Sequence, residues 1–303
     1  MAADADPIVV LGAGAIGSVY AVKLAARHPV TVVVRPDHAE AIRTHGLRLI
    51  GLETTTAHVN AVTTLETIAP RTTILLTTKV NASEAALTPI AGMVRDDTVV
   101  VCVQNGLDSE GVARRALGGR GHVLRAITQF GAIFQAPGLI NYTAAGYTLL
   151  EDGPRSGPIA ELLTASGLEG RISPDIKREI WRKLIYNCVI NPITSITGTE
   201  VRGIADPRLD PLKQLVIDEC LAVARSEGVT FDIDFLAKIT EVFSTSRTIA
   251  SMRQDLLRGR PTEIDHMNGA VAELGQRAGI ACPVNAALAA IIRAMDRDTI
   301  TAS

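Results

Sequence analysis

The segment Ile8-Val-Val-Leu-Gly-Ala-Gly-Ala-Ile-Gly17 is the main evidence for the predicted fold. Its first four residues form a continuous apolar run, which predicts a strand buried on both faces. The glycines that follow have the spacing GxGxxG, a helical pattern runs from Ser18 to Ala26, and a second apolar run occupies Val30–Val34. A strand before the glycines, a helix after them and a second strand soon afterwards predict a Rossmann-type dinucleotide-binding domain.

Each glycine of this segment has its own role in such a domain. The first allows a tight turn, the second allows the backbone to approach a pyrophosphate, and the third lets the helix pack closely on the strand. Backbone amide groups at the helix start bind the phosphates. A glycine-rich turn without a ligand is the alternative. The predicted cofactor-binding residues of the segment are Gly12, Ala13, Gly14, Ala15, Ile16 and Gly17.

The residue at the end of the second strand distinguishes the two nicotinamide cofactors. Enzymes that bind NAD(H) usually place an acid there to bind the ribose 2′-hydroxyl. In this chain the position is Arg35, and a guanidinium pairs with phosphate oxygens in a bidentate way. The sequence therefore favours NADP(H), with a solvated surface arginine as the alternative.

Two further strand patterns are followed by polar residues, Lys79 after the first and Asn105 after the second. In an open α/β sheet, ligands lie beyond the carboxyl ends of the strands. We therefore expect Gly12, Arg35, Lys79 and Asn105 to converge at one sheet edge. Turn formation is an equally good explanation of Asn105 alone, because Asn-Gly is a good turn pair.

Near residue 172 the pattern changes from alternating strands and helices to helices alone. A glycine follows the last turn of several of these helices, as expected at a helix end. We predict an α/β domain of residues 1–172 and an all-α domain of residues 173–303. The helical patterns beyond residue 200 are Asp210–Glu227, Asp234–Arg258, Ile264–Ala278 and Asn285–Asp298.

The first helix of the second domain carries a polar face in apolar surroundings. It is predicted to end at Pro192, and Lys183, Asn187 and Asn191 recur every four residues, so they share one face. A buried lysine with two amides on the same face is destabilising by several kcal/mol unless polar groups face it. These side chains either tie helix ends and backbone together or form a small polar pocket for a substrate, with Lys183 as proton donor.

Composition excludes several classes of protein. The 303 residues carry a net charge of −2 and only 3% aromatic residues, which argues against nucleic-acid and anionic-membrane partners. The amino terminus lacks the apolar core of a signal peptide, and no apolar run is long enough to span a bilayer. The cysteines show no paired spacing, so we expect buried thiols in the cytoplasm and no metal site. They are Cys102, Cys188, Cys220 and Cys282.

Taken together, the motifs of nearly the whole chain resemble the ketopantoate reductase family. The resemblance implies a Rossmann-type domain followed by an all-α C-terminal domain, a 6-phosphogluconate dehydrogenase-like architecture. It also implies NADPH-dependent reduction of 2-ketopantoate to (R)-pantoate, a step of pantothenate biosynthesis. The motifs are Gly12–Gly17, Thr78-Lys79, Gln104-Asn105-Gly106, Trp181–Leu184, Asn187–Pro192, Ser251–Asp255, Thr262–Asp265 and Asn268-Gly269.

The resemblance implies roles for matching residues. Lys183 corresponds to the catalytic lysine of the family, and Glu263 corresponds to its acidic partner. The implied substrate-binding residues are Asn105, Asn187, Asn191 and Ser251. The implied cofactor-binding residues outside the glycine segment are Arg35, Lys79, Asn105 and Glu263.

Other functions stay open on the sequence. Thr248 stands where some members carry asparagine, so a different 2-keto acid is an alternative substrate. The 3-hydroxyacid and opine dehydrogenases also join a Rossmann domain to a helical one. A non-catalytic NADP(H) sensor is a rival of another class, although a sensor needs no proton donor such as Lys183. The expected partner is a small 2-keto acid, and a homodimer through the helical domain is not fixed by the sequence.

Overall fold

The chain folds into two compact units. The structure, a computed structural model, describes residues 5–296. The N-terminal unit ends at Ile176 and the C-terminal unit begins at Lys177, where the sequence predicts a boundary at residue 172. The strand Gly170–Ser173, which the sequence pattern does not indicate, belongs to the first unit's sheet. Residues 1–4 and 297–303 of the predicted domains lie outside the described residues.

Strands and helices alternate through the N-terminal unit. Its strands are β1 (Ile8–Leu11), β2 (Val30–Val33), β3 (Leu47–Gly51), β4 (Thr55–Ala57), β5 (Asn60–Val62), β6 (Thr73–Leu76), β7 (Val99–Cys102), β8 (His122–Thr128), β9 (Gly131–Ala136), β10 (Leu139–Ala144), β11 (Thr148–Glu151) and β12 (Gly170–Ser173). Its α-helices are α1 (Ala15–Leu24), α2 (Pro36–His45), α3 (Ser83–Leu87), α4 (Ser109–Ala116) and α5 (Ser156–Ala165).

The larger sheet has the strand order β12-β11-β8-β7-β6-β1-β2-β5. From β5 to β8 every pair is parallel, and β11 joins β8 in the antiparallel direction. The chain leaves β1 toward β2 on one side and later returns to β6 on the other. The gap between β1 and β6 is therefore the topological switch point, beside which ligands bind in doubly wound sheets.

Strand β1 is apolar throughout because it is covered on both faces. Ile8 and Val10 belong to one hydrophobic cluster, whereas Val9 and Leu11 belong to another. Alternate side chains of a strand point to opposite faces, so a strand between two layers has no polar face. The continuous apolar run of β1 is therefore explained by burial on both faces, as the sequence predicts.

A second, four-stranded sheet of order β4-β3-β10-β9 covers α1. Tyr20 of α1 is fully buried, and its hydroxyl lies 2.7 Å from Thr128 Oγ1 and 2.6 Å from Thr148 Oγ1. Burial raises the pKa of Tyr20 to about 12. The phenol therefore stays neutral and holds α1 to the strands beside it.

The described part of the C-terminal unit is helical or irregular, and the predicted fold class is confirmed. Its α-helices are α6 (Ile176–Thr197), α7 (Asp210–Ser226), α8 (Phe235–Phe243), α9 (Ser251–Leu257), α10 (Asn268–Arg277) and α11 (Pro283–Met295). Short 3₁₀ helices occupy Val201–Ala205, Pro207–Leu209 and Ile264–His266. No helix among residues 5–296 is both long enough and apolar enough to cross a bilayer.

One predicted helix end is wrong, and one range predicted to be mostly helical is interrupted. Helix α6 continues through Pro192 to Thr197 instead of ending at the proline. The range Asp234–Arg258 is interrupted between α8 and α9, because its backbone bonds to the 3₁₀ helix at Val201–Ala205 instead. The carbonyl oxygen of Thr248 accepts from the Val201 amide at 2.9 Å. In both places a distant segment overrides the local pattern, since at Pro192 the side chain of Asn268 donates to the Cys188 carbonyl oxygen at 3.0 Å, a bond that proline itself cannot make.

Candidate active site

The carboxyl ends of four parallel strands lie level at one edge of the larger sheet. The register aligns Leu11 with Val33 and with Leu76, and it aligns Leu76 with Cys102. The predicted convergence of strand ends is therefore confirmed. The residues that follow these ends are Gly12, Arg35, Lys79 and Asn105.

At two positions near the turn after β1, close contact with other protein atoms leaves no room for a side chain. Gly12 has a φ of +87°, and a Cβ there would lie 2.9 Å from the backbone nitrogen and Cα of Thr78. A Cβ on Gly17 would overlap Thr77 Oγ1, which bonds the Gly12 carbonyl oxygen at 3.0 Å. Both glycines allow β1, α1 and the end of β6 to approach closely.

Gly14 differs from these two glycines. It is exposed, its φ is −72°, and the nearest atom to an added Cβ is the Gly12 carbonyl oxygen at 3.9 Å. It is also the N-cap of α1, and no side chain caps the helix. The first amide groups of α1 are thus not occupied by a cap, which suits an anion. The surroundings of Gly14 therefore fit a pyrophosphate.

His38 links the glycine turn to a second segment of the N-terminal unit by hydrogen bonds. This buried imidazole accepts from the Gly138 amide through Nδ1 at 2.9 Å. Its Nε2 lies 3.0 Å from the Ala13 carbonyl oxygen and, by elimination, carries the proton. Burial lowers the pKa of His38, although the bond to Ala13 opposes the shift. The neutral ring therefore joins the turn to the β9–β10 hairpin.

Gln104 and Arg125 hold the segment that carries Asn105. Gln104 Nε2 donates to the Thr78 carbonyl oxygen at 2.8 Å and to Ser83 Oγ at 2.6 Å. Arg125 is buried and donates to the Gly106 carbonyl oxygen at 2.7 Å. Burial lowers the pKa of Arg125. These bonds fix the chain on both sides of Asn105.

The predicted cofactor side chains differ in their exposure. Arg35 is exposed and occupies the N-cap of α2, so its guanidinium is accessible to an anion. Lys79 and Asn105 are half-buried at the ends of β6 and β7. The side chain of Ala13 is buried, so only its backbone could contact a ligand. Their contacts with a cofactor stay predictions.

The polar face of α6 lies in the C-terminal unit. Asn191 is buried, and its Nδ2 donates to Met267 Sδ at 3.4 Å. Lys183 and Asn187 are only half-buried, so they are less enclosed than the sequence predicts. The lysine and the two amides still follow one another at helical spacing, each about 6 Å further along the axis.

Glu263 lies in the short connection that leads into α10. It is half-buried at the start of the 3₁₀ helix Ile264–His266. The neighbouring Thr262 hydroxyl donates to Asp296 Oδ2 at 2.8 Å, and Asp265 forms an ion pair with Arg293 at 2.6 Å. These bonds fix both flanks of Glu263. The described contacts also join Asn191 to Met267, in the segment that follows Glu263.

Ser251 is exposed as the first residue of α9. Helix α9 is a short helix of seven residues, and the role of Ser251 in substrate binding stays a prediction. Among residues 5–296, no group of three or more histidine, cysteine or acidic side chains could hold a metal ion. The four cysteines are buried free thiols, and burial raises the pKa of Cys102 to about 12.

The sheet order, the glycine turn at the switch point and the helical second unit define a dinucleotide-binding protein of the two-domain dehydrogenase type. Residues 8–155 match the family described as "Ketopantoate reductase PanE/ApbA". Residues 175–296 match "Ketopantoate reductase PanE/ApbA C terminal". The chain belongs to the ketopantoate reductase family.

Individual relatives cover nearly the whole chain. A 2-dehydropantoate 2-reductase of Mesorhizobium japonicum is 34% identical over 94% of this chain and 96% of its own length. A PanE/ApbA family ketopantoate reductase of Ralstonia eutropha superposes with a TM-score of 0.90 at 28% identity, over 97% and 99% of the two chains. D-mandelate dehydrogenase in complex with NADH gives 0.87 at 25% identity, over 96% and 99%.

Proposed function

We propose that this chain reduces 2-ketopantoate to (R)-pantoate with NADPH, as a 2-dehydropantoate 2-reductase. The observation that carries the proposal is the face of Lys183, Asn187 and Asn191 on α6, in a chain whose full-length relatives are 2-dehydropantoate 2-reductases. Lys183 can donate a proton to a carbonyl oxygen, and the amides of Asn187 and Asn191 further along the same face can bind the polar groups of a keto acid. The product is a building block of pantothenate.

The N-terminal unit would hold the cofactor. The amide groups at the start of α1 bind the pyrophosphate beside Gly14, where the nearest atom to an added Cβ is the Gly12 carbonyl oxygen at 3.9 Å. Arg35 pairs with the 2′-phosphate, and its exposure leaves the guanidinium fork accessible. Lys79 and Asn105, at neighbouring strand ends, complete the set of polar groups along this edge.

The C-terminal unit would supply the proton. When bound, NADPH provides the hydride that reduces the keto carbon. Lys183 donates a hydrogen bond to the carbonyl oxygen and protonates it as negative charge develops there. Asn187 and Asn191 orient the substrate through their amide groups. Glu263 keeps the ammonium charged and directed at the carbonyl, since a carboxylate nearby favours the protonated form.

A second candidate substrate class is favoured by one relative. D-mandelate dehydrogenase, by its name, acts on a 2-hydroxy acid with an aromatic group, and it shares this fold at a TM-score of 0.87. Thr248 is exposed just before Ser251 and has a shorter side chain than the asparagine of some family members. A bulkier 2-keto acid with the same catalytic residues is therefore the alternative to ketopantoate.

The cellular setting follows from the thiols. Four free cysteines are what a reducing compartment allows, so the cytoplasm is the proposed location. The homodimer stays a prediction, and light scattering of the purified chain would test it.

A substrate and cofactor panel tests the proposed function. NADPH and NADH are each supplied with ketopantoate, pyruvate, 2-ketoisovalerate and phenylglyoxylate, and oxidation of the nicotinamide is followed. Fastest turnover with ketopantoate and NADPH is the expected result. Preference for phenylglyoxylate would move the substrate and keep the catalytic residues. Tight NADPH binding without turnover of any keto acid would favour the sensor.

A further inference from the structure

Pro192 leaves a backbone carbonyl of α6 without its usual partner. In an α-helix the amide of each residue donates to the carbonyl four residues earlier, which for position 192 is the carbonyl of Cys188. Proline has no amide hydrogen, and its ring crowds that carbonyl. Cys188 is completely buried, so water does not reach it readily. An unpaired carbonyl in such a place is destabilising.

Asn268 replaces the missing donor. It is the first residue of α10, it is completely buried, and its Nδ2 donates to the Cys188 carbonyl oxygen at 3.0 Å. The same amide nitrogen donates to Asn285 Oδ1 at 2.9 Å. A side chain from a helix 80 residues further along the chain thus makes the bond that α6 cannot make for itself.

A carboxylate at the far end fixes the direction of these bonds. Asn285 Nδ2 donates to Glu219 Oε2 at 2.7 Å, and an ionised carboxylate can only accept. The Asn285 amide therefore turns its oxygen toward Asn268, and Asn268 turns its nitrogen toward Cys188. Glu219 is held in turn by the backbone amides of Val284 and Asn285 at 2.8 and 2.9 Å. Both amide orientations follow from the chemistry of the groups at the two ends.

The bond joins the two parts of the C-terminal unit that carry the proposed chemistry. Cys188 lies between Asn187 and Asn191 on α6, while Asn268 follows the segment of Glu263. Met267, next to Asn268, accepts from Asn191. The α6 turn that presents the substrate-binding amides is therefore anchored to the α10 start at two adjacent points.

We propose that Asn268 is a positioning residue for the reaction: by capping the Cys188 carbonyl freed at Pro192, it fixes the Asn187–Asn191 turn against the segment of Glu263. The activity readout of this proposal rests on the proposed function. Asn268 does not touch the reacting atoms. Its effect is transmitted through α6, and small misplacements of such groups have large effects on rate.

The test is a double-mutant cycle of Asn268→Ala and Pro192→Ala in the full chain. Pro192→Ala restores an amide hydrogen that can reach the Cys188 carbonyl, so it supplies the bond from within the helix. Asn268→Ala alone should lower kcat/KM for the keto acid about 10- to 100-fold and Tm by about 4–8 °C. Addition of Pro192→Ala should recover most of both losses, with NADPH affinity unchanged within about twofold throughout.

Val271→Ala is the matched control. Val271 is buried on the same helix α10, one turn after Asn268, and its truncation removes packing without touching the cap. It should lower Tm by a similar few degrees and leave kcat/KM within about threefold. Equal loss of activity in Val271→Ala at equal Tm would show that general destabilisation, and not positioning, explains Asn268.

Failure of the two proposals can be told apart. Additive effects of Pro192→Ala and Asn268→Ala on Tm, without recovery, would overturn the cap whatever the substrate is. If the parent chain turns over no keto acid, the proposed function fails, while the Tm cycle still decides whether Asn268 replaces the helical donor. Recovery of Tm without recovery of kcat/KM would leave the cap and reject its positioning role.

Discussion

Gly14→Ala separates cofactor binding from folding in the glycine segment. The nearest atom to a Cβ at Gly14 is 3.9 Å away, and the φ of −72° is accessible to alanine. The added methyl would therefore disturb little within the chain. It would stand where the backbone is proposed to approach a pyrophosphate. Gly17→Ala, three residues later, is the comparison, because its methyl would overlap Thr77 Oγ1.

The expected magnitudes follow from the contacts. In Gly17→Ala the Thr77 hydroxyl must move, and its single O–H gives up the donor bond that it shares between the carbonyl oxygens of Leu11 and Gly12, at 3.2 and 3.0 Å. Loss of this shared bond is destabilising by about 0.5–1.5 kcal/mol, which lowers Tm by about 1–6 °C. Gly14→Ala should change Tm by less than about 2 °C. Loss of one charge-assisted bond to the pyrophosphate should weaken NADPH binding about 10- to 100-fold.

The assay pairs calorimetric titration of NADPH with thermal unfolding of each apo variant. The expected pattern is a stable Gly14→Ala that binds NADPH poorly, beside a Gly17→Ala that is destabilised before any ligand is added. Parental NADPH affinity in Gly14→Ala would refute the placement of the pyrophosphate at this turn. A fall in Tm as large as that of Gly17→Ala would show that Gly14 is needed for folding instead.

Three further predictions concern Arg35 and His38 of the N-terminal unit and Glu263 of the C-terminal unit. Arg35→Ala should weaken NADPH binding by about tenfold or more and leave NADH binding unchanged, because only NADPH carries the 2′-phosphate. The control is Arg27→Ala, which removes an exposed arginine that lies before β2 instead of after it. In the same titration Arg27→Ala should change neither affinity. Burial lowers the pKa of His38 from 6.5 in the folded chain. On acidification the unfolded chain therefore binds a proton before the folded chain does. The stability that the neutral ring contributes is present above about pH 6.5 and is lost as the pH falls through the lowered folded pKa. The Tm should therefore fall less steeply with acidification in His38→Asn than in the parent, and equal slopes would contradict this. Glu263→Gln should lower kcat more than it lowers NADPH affinity, since the carboxylate is proposed to act on Lys183; a change confined to NADPH affinity would assign Glu263 to the cofactor alone.

Most of the larger sheet of the N-terminal unit and the glycine turn could be predicted because the sequence signals for them are local. Strand β1, the glycine turn and α1 follow one another within 17 residues, from Ile8 to Leu24. Their spacing is set by the geometry of a single βαβ unit. The register of the sheet then brings the strand ends together without further information.

The second sheet could not be predicted in this way. Strand β10 pairs with β3 across some 90 residues, with Leu139 opposite Arg48. The hairpin strand β9 carries no turn signal that separates it from β8. The role of His38 cannot be predicted for the same reason, since its partner Gly138 is 100 residues away. No local pattern marks a histidine that will bridge two backbone groups.

Pro192 shows how a correct local rule fails. Proline usually ends a helix because one carbonyl loses its donor. Here the donor comes from Asn268, so α6 continues for another five residues to Thr197. The pair Asn268-Gly269 is one of the motifs that resemble the family, but the sequence alone assigns it no physical role.

The proposed reaction depends on Lys183, which protonates the keto acid that NADPH reduces. The most direct measurement is steady-state turnover of ketopantoate with NADPH by the parent chain and by Lys183→Ala, with NADPH affinity and Tm measured on both. We predict rapid turnover by the parent, and a kcat lower by about 10²–10⁴ in the variant at unchanged NADPH affinity. A variant kcat within a few-fold of the parent would show that a group other than Lys183 transfers the proton.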